Sequence, residues 1–459
     1  MHTVLLIDDD RSTRFLMARL LEKAGWQVLE AEDGEIGLEL TVKHHPEVVL
    51  CDLMMPRCNG FQFCRSVRER GPEFPQPKLI ITTASGYATD RINALEAGAN
   101  EVLVKPIKPE DLLQLMARFT VPVERVPAEA KPAPANGRTA PSAPPPEFHP
   151  ADREVKVKFW GVRGSIPTPG PSTAIYGGNT TCVEVRADGE LIILDAGSGI
   201  RPLGLQLISE FKGQPLNLTL LMTHTHWDHI QGFPFFIPAY NPKNQLRILG
   251  YEGARIGLEK TLSSQMESPY FPISMQEMPG HISIQELREM KFTVGNVLVR
   301  AQFMNHPGVC VGYRLDTSGG SIAFLPDNEP FQRLKAHSGA PAGADPAEAQ
   351  EYARKQDDKL VEFIRDAEVL IMDSQYDAAE YPQRAGWGHA CVDDTVALAL
   401  SANVKKLFLF HHDPGHDDAY IARMEAHART LVVQNGGTLI VEAAREGSVC
   451  VLQPVRTTA

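Results

Sequence analysis

The sequence is poor in cysteine, in basic charge and in long apolar runs. Seven cysteines stand among 459 residues, at positions 51, 58, 64, 182, 310, 391 and 450, and none forms a Cys-x-x-Cys pair. That scattered, odd count excludes a disulfide framework or a thiolate zinc cluster and suits a reducing cytoplasm. Lys and Arg number 45 against 57 acidic residues, a formal charge of -12. Nonspecific attraction to long nucleic acids is therefore not expected unless a local basic groove escapes the average. No window approaches ~18 uninterrupted apolar residues, so no membrane partner is expected. The opening Met1-His2-Thr3-Val4-Leu5-Leu6-Ile7-Asp8 lacks a basic n-region and turns acidic early, unlike a secretory signal.

Proline, by contrast, is concentrated. Residues 121–151 hold nine prolines and seven alanines without a repeating apolar pattern. The run Pro141-Ser142-Ala143-Pro144-Pro145-Pro146 cannot sustain helical or sheet hydrogen bonding. Residues 122–152 thus read as a semi-rigid linker between a first domain over 1–121 and a second over 153–459.

In the first domain short apolar runs alternate with helical stretches. Strands are predicted at 4–7, 48–51, 78–82 and 102–104, with helices over 12–24 and 109–118. This alternation implies a parallel α/β sheet whose chemistry lies at the carboxyl ends of its strands. Asp8, Asp9 and Asp52 each fall just beyond such a strand. Converging carboxylates repel unless a hard cation sits between them, so Mg²⁺ is expected. Thr83 and Lys105 follow two further strands, where a hydroxyl and an ammonium could hold a phosphoryl group on a carboxylate.

The second domain predicts strands at 155–160, 180–187, 190–195, 218–223, 246–249, 297–303, 309–316 and 321–325. Helices are expected at 199–212, 283–289, 347–366 and 392–402, and late strands at 406–410, 431–434 and 438–442. The pattern is that of mixed sheets covered by helices. Residues 251–290 read either as a loop or cap near a site or as a simple surface loop. The densest chemistry is Thr223-His224-Thr225-His226-Trp227-Asp228-His229, directly after the apolar run Leu218–Met222. Three imidazoles and a carboxylate within six residues at a strand-to-loop turn can reach two neighbouring metals, for which Zn²⁺ is the first choice and Mn²⁺ or Fe²⁺ are compatible. Such a pair polarises a phosphoryl or acyl oxygen. His306, Asp327, His411 and His412 follow later strands and are further candidates.

The motifs Leu6-Ile7-Asp8-Asp9-Asp10, Cys51-Asp52-Leu53-Met54-Met55-Pro56, Thr83-Ala84 and Val104-Lys105-Pro106 resemble the two-component response-regulator receiver family over residues 1–121. The resemblance implies that Asp52 accepts phosphate, that Asp8 and Asp9 help hold Mg²⁺, and that Thr83 and Lys105 sense the phosphoryl group. Asp10 is an ambiguous third member of the acidic run. A sensor histidine kinase or a small phosphodonor is the implied partner. Val102 stands where the family often carries an aromatic switch residue.

Residues 155–452 resemble the metallo-β-lactamase superfamily, nearest its phosphodiesterase and transfer-RNA 3′-processing branch. Beyond the histidine motif the match rests on Phe159-Trp160-Gly161-Val162-Arg163-Gly164-Ser165, Tyr176-Gly177-Gly178-Asn179-Thr180, Asp195-Ala196-Gly197-Ser198-Gly199 and Gly388-His389. The implied fold is α/β, a doubly wound receiver followed by an αββα domain. The implied ligand sets are His224, His226 and His306 for one metal and Asp228, His229 and His411 for the other, with Asp327 bridging. Asp195 and Gly197 would support the metal loop, and His412 would orient substrate. His389, outside the ligand sets, would protonate a leaving oxygen, with Asp373 orienting it. The expected activity is hydrolysis of a small nucleotide phosphodiester, especially a cyclic nucleotide, in signalling. RNA processing, lactone or ester hydrolysis, and a vestigial domain acting by partner binding are the alternatives. A homodimer is the expectation from the resembled families.

Overall fold

The computed structural model describes residues 2–71, 74–119, 154–251, 253, 255–338 and 345–452; the expected linker lies outside them. The described residues fall into two compact units. Among them no helix is long and apolar enough to cross a membrane.

The first unit runs β1 (Thr3–Ile7), α1 (Arg11–Lys23), β2 (Gln27–Ala31), α2 (Gly34–His44), β3 (Val48–Asp52), α3 (Gly60–Glu69), β4 (Lys78–Thr83), α4 (Ala88–Glu96), β5 (Glu101–Val104) and α5 (Pro109–Phe119). All five strands are parallel, in the order β2-β1-β3-β4-β5. The strand over Gln27–Ala31, absent from the sequence reading, is a half-exposed edge without a continuous apolar run. Strand β3 is buried along its whole length, as a central strand covered on both faces must be. Helix α3 starts on a capping box, Asn59 and Gln62 each accepting from the other's backbone N–H. The order of strands reverses beside β1, so the carboxyl ends of β1 and β3 border the crevice where such sheets bind ligands.

The second unit opens with β6 (Val155–Gly161), β7 (Cys182–Ala187), β8 (Glu190–Leu194), α6 (Ile200–Phe211), β9 (Asn217–Leu221), the single-turn α7 (Trp227–Ile230), β10 (Gln245–Gly250), α8 (Leu258–Ser264) and β11 (His281–Glu286). It continues through β12 (Lys291–Val294), β13 (Val297–Phe303), β14 (Val311–Thr317), β15 (Gly320–Leu325), α9 (Phe331–Ser338), α10 (Pro346–Ile364), β16 (Val369–Asp373), α11 (Val392–Ser401), β17 (Lys406–Phe410), α12 (Asp418–Gln434), β18 (Ile440–Ala443) and β19 (Val449–Leu452). Two seven-stranded sheets result, β11-β10-β9-β8-β7-β6-β19 and β12-β13-β14-β15-β16-β17-β18. Alternation along β8 shows how they pack. Ile192 and Leu194 enter the core shared by the two sheets, whereas Leu191 and Ile193 join Leu203 and Leu207 of α6 on the outer face. On the second sheet Leu370, Leu407 and Leu409 face Val396 of α11 and Ile421 of α12. This is the αββα sandwich.

Three expectations change. The helix expected at 283–289 is strand β11, parallel to β10, because Ile282 and Ile284 alternate with polar neighbours at period 2. The strand expected at 431–434 is the last turn of α12, where Ile421, Met424, Ala428 and Val432 recur at helical spacing on the buried face. Segment 251–290 is not a plain surface loop. Leu258, Leu262, Met266 and Met278 are buried against the outer face of the first sheet.

The topology also sets where chemistry collects. Strands β8 and β9 are parallel. In the second sheet β13 and β15 both run antiparallel to β14, and β15, β16 and β17 are parallel. The carboxyl ends of β13, β15, β16 and β17 therefore lie at one edge, each followed by a candidate side chain.

Candidate metal centre

Two groups of donors meet in the second unit. His224, His226, His306 and Asp327 form one, Asp228, His229 and His411 the other. They arrive from the ends of β9, β13, β15 and β17. Asp327 turns one oxygen to each group. Its Oδ2 lies 3.7 Å from His224 Nε2 and 3.5 Å from His306 Nε2. Its Oδ1 lies 3.2 Å from His229 Nε2 and 3.5 Å from His411 Nε2. Asp228 Oδ2 sits 3.3 Å from His229 Nε2 and 3.1 Å from His411 Nε2, and His226 Nδ1 is 3.0 Å from His306 Nε2.

These donors fit divalent metals. Ligand atoms at about 2.0–2.1 Å around a tetrahedral Zn²⁺ are roughly 3.3 Å apart, within the spread observed. His224 Nε2, His229 Nε2 and Asp327 Oδ1 are buried and hydrogen-bonded to nothing, a costly arrangement for polar atoms that have no other use. Burial pushes His224, His306 and His226 below their ordinary range, so they stay neutral with lone pairs to offer. His229 is the contrast. Burial works against its charge, but the carboxylates of Asp228, Asp327 and Asp195 hold its pKa well above the usual value. Desolvation would raise Asp228 and Asp327 too, yet the surrounding imidazoles keep both well below the carboxylate range.

A surrounding shell fixes the rings. Asp195, fully buried after β8, accepts from Thr223 N and Oγ1 at 2.8 Å each and pairs with His229 Nδ1 at 2.8 Å. His306 Nδ1 donates to the Gly388 carbonyl at 2.9 Å. His411 Nδ1 lies 2.9 Å from Gln375 Oε1, whose amide nitrogen donates to Asp413. Ser165 N–H donates to Asp228 Oδ2 at 2.7 Å. Ser165, Asp195 and His411 all have positive φ, near 60°, the kind of backbone strain that collects at working sites. Gly164 is required by proximity, because a Cβ there would stand 2.4 Å from the His411 ring. Gly388 combines φ +90° with a Cβ clash at 2.5 Å on His306 Nδ1.

His389 lies beside both groups. Its Nδ1 is 2.9 Å from Asp373 Oδ2, its ring stacks on His411 at 4.9 Å, and it also comes within ligating range of Asp327 and His411. Burial lowers its pKa, but the carboxylates of Asp373, foremost, and of Asp327 and Asp228 together lift it to about 9. His412 does not join. Its Nε2 donates to the Ala444 carbonyl at 2.9 Å, its ring meets Tyr176 edge-on, and burial depresses its pKa to about 3. The place of His411 directly at the end of β17, ahead of His412, was the sequence signal that separates the two.

Sequence reasoning missed Gln375 and Glu329. Gln375 stands two residues beyond Asp373 on the same strand end, which was its available signal. Glu329 is fully buried and accepts from Gly386 N at 2.8 Å, Gly388 N at 3.0 Å and the Tyr381 hydroxyl, so it anchors the loop carrying His389.

In the first unit Asp8, Asp9 and Asp52 converge. Lys105 Nζ reaches Asp8 Oδ2 at 2.8 Å and Asp52 Oδ1 at 2.7 Å. Burial raises Asp52 to about 6 even though Lys105 pulls it down. Thr83 is buried at the end of β4, its hydroxyl accepting from Ser85 N at 3.0 Å. Asp10 turns to α1, accepting from Ser12 N and Thr13 N as its N-cap. Val102 is buried in β5.

Comparison with known proteins gives two family matches. Residues 4–117 match the response regulator receiver domain and residues 191–345 the beta-lactamase superfamily domain. The chain is 37% identical to the response regulator MprA of Mycobacterium sp. (strain KMS) over 113 residues, 25% of this chain and 48% of that protein. It thus spans about half the length of that curated relative. Vibrio cholerae chemotaxis protein CheY4 is similar at 31% identity over 26% of this chain and 98% of its own, with a TM-score of 0.25. The metallo-beta-lactamase fold protein YhfI of Bacillus subtilis is similar at 15% identity over 65% of this chain and all of its own, with a TM-score of 0.46.

Proposed function

Because the chain joins a response-regulator receiver domain to a metallo-β-lactamase-superfamily domain, we propose that it is a phosphorylation-responsive, dinuclear-metal phosphodiesterase acting on a cyclic nucleotide or another small nucleotide phosphodiester. One observation carries the reading. Asp327 offers a separate oxygen to each of two buried imidazole groups, the arrangement a coupled pair of cations needs. Zn²⁺ suits this donor set best.

Two bound divalent cations would lower the pKa of water and neutralise phosphoryl oxygens. The protein's own part is positioning and proton transfer. Asp195, Gln375 and the Gly388 carbonyl hold three imidazoles with a nitrogen facing the site. His389 keeps Nδ1 on Asp373, which leaves Nε2 as the ring atom that gives a proton to the departing ribose oxygen. With its pKa at about 9 it carries that proton at neutral pH. A poor alkoxide leaving group requires such an acid.

In the receiver domain, Asp52 accepts a phosphoryl group from a sensor histidine kinase or a small phosphodonor, Asp8 and Asp9 hold Mg²⁺ with it, and Lys105 and Thr83 bind the transferred group. Phosphorylation then changes the hydrolytic rate.

The test is turnover by the full chain under Zn²⁺, Mn²⁺ or Fe²⁺ of 3′,5′-cyclic nucleotides, 2′,3′-cyclic nucleotides, cyclic dinucleotides, short RNA and simple lactones. Each is repeated with His226→Ala and with acetyl phosphate on wild type and Asp52→Ala. The expected result is cleavage of one small diester, lost in His226→Ala and altered by phosphorylation only when Asp52 is present. Turnover of lactones alone, or of nothing, would overturn the reading.

A further inference from the structure

Four tryptophans occur in the chain, and they divide sharply by environment. Trp26 is buried, and Trp160 donates Nε1–H to Glu184 at 2.7 Å with Lys158 over its ring. Trp227 and Trp387 are 79% and 57% exposed. Both exposed indoles are carried by backbone that adjoins candidate ligands of the metal centre. Trp227 lies between the candidate ligands His226 and Asp228. Trp387 precedes Gly388, whose carbonyl holds His306 Nδ1 at 2.9 Å. His226 and His306 face each other at 3.0 Å, so the two segments that carry the tryptophans meet at one imidazole pair, one arriving after β9 and the other after β16. Ile166, next to the Ser165 amide that holds Asp228, adds a third exposed apolar side chain, 57% exposed.

Their attachments are rigid. Gly386 N and Gly388 N, on either side of Trp387, both donate to the fully buried Glu329. Trp387 N donates to Arg384 O at 3.0 Å, and the Trp227 carbonyl accepts from Gln231 N at 2.8 Å. Arg384 lies over the Trp387 ring at 4.8 Å and brings a cation to this rim. Large rings presented to water by a fixed backbone, beside a cation and a metal centre, suit a ligand that is planar at one end and anionic at the other.

We propose that Trp227 and Trp387 are specificity-determining residues that stack the planar base of the substrate. This rests on the phosphodiesterase reading and deepens it by naming the residues that recognise the heteroaromatic base. Any base offers a π face, so the platform favours nucleosides as a class over base-free esters.

The experiment is a tryptophan-fluorescence titration of the zinc-loaded full chain with 5′-AMP and with ribose 5-phosphate, in wild type, Trp227→Ala, Trp387→Ala and Trp387→Phe. AMP is expected to quench emission and to bind more tightly than ribose 5-phosphate. The two alanine variants are expected to bind AMP roughly five- to a hundredfold more weakly while ribose 5-phosphate affinity stays put. Trp387→Phe, which keeps a planar ring in the same loop, restores most of the AMP affinity. Unchanged emission with AMP, equal affinity for both ligands, or alanine variants that match wild type would each overturn the proposal. So would variants that alter only sedimentation, which would make the indoles a contact between copies of the chain. Failure of the parent reading looks different, as AMP stacking intact with no diester cleaved.

Discussion

Replacing Asp327 by Asn should empty one of the two metal positions and leave the other. The side chain is 2% exposed, and its two oxygens serve different imidazole groups at 3.2–3.7 Å. Asparagine keeps one acceptor oxygen and turns an NH₂ group, without a lone pair to donate to a metal, toward the other group. That group loses a ligand and a share of negative charge. Loss of an outer support alone costs about 10–100-fold in metal affinity, so removal of a ligand should cost at least about 100-fold at that position. At free metal of 100 times the dissociation constant, binding stabilises the fold by about 2.7 kcal/mol, and a hundredfold weaker site retains about 0.4 kcal/mol. Metal analysis after gel filtration should fall from two equivalents to one. The metal-induced rise in melting temperature should shrink accordingly. Two equivalents bound at wild-type affinity would show that Asp327 does not bridge, and the dinuclear reasoning would fail with it.

Three further outcomes are expected. Asp373→Asn removes the foremost of the carboxylates that lift His389 to about 9. An acid works while protonated, so the alkaline fall in rate should move to lower pH, and an unmoved limb would exclude His389 as that acid. Gln375→Ala takes the acceptor from His411 Nδ1. It should weaken metal binding about 10–100-fold with little change in the metal-free melting point, whereas an equal loss of stability without metal would make its role structural. Lys105→Ala strands the buried carboxylates of Asp8 and Asp52 and should destabilise the receiver unit by about 3–5 kcal/mol. Asp52 already titrates at about 6, above its unfolded value, so its protonated form favours the fold and that benefit fades as pH rises through the folded pKa. The melting-point loss should therefore be larger at pH about 7.5 than at about 5; equal losses would place the deficit elsewhere.

Much of this protein is legible as one-dimensional pattern because its strongest signals are local. Uninterrupted apolar runs such as Val48–Cys51 and Leu407–Phe410 can only be buried strands here, and a functional residue placed directly after one inherits a position at a sheet edge. The His224–His229 cluster needs no long-range information either, since six consecutive residues at one turn supply four donors. Where local signals compete, pattern misleads. Residues 431–434 carry β-branched side chains but extend a helix whose buried stripe begins at Ile421, and 283–289 looked helical until its pairing with β10 gave the backbone partners.

The proline-rich stretch and the motif spacing thus determined the two-part organisation and the identities of the donors. The family resemblance already implied how those donors divide, and only the tertiary structure decided the contacts that hold the division. It assigned one oxygen of Asp327 to each group, gave His411 to the centre and His412 to the Ala444 carbonyl, and made Gln375 and Glu329 supports. Both histidines follow the same strand with the same chemistry. What separates them is which side of β17's end each ring leaves from and which lone pairs await it there, and that depends on residues from four other strands, brought within ångströms only by folding.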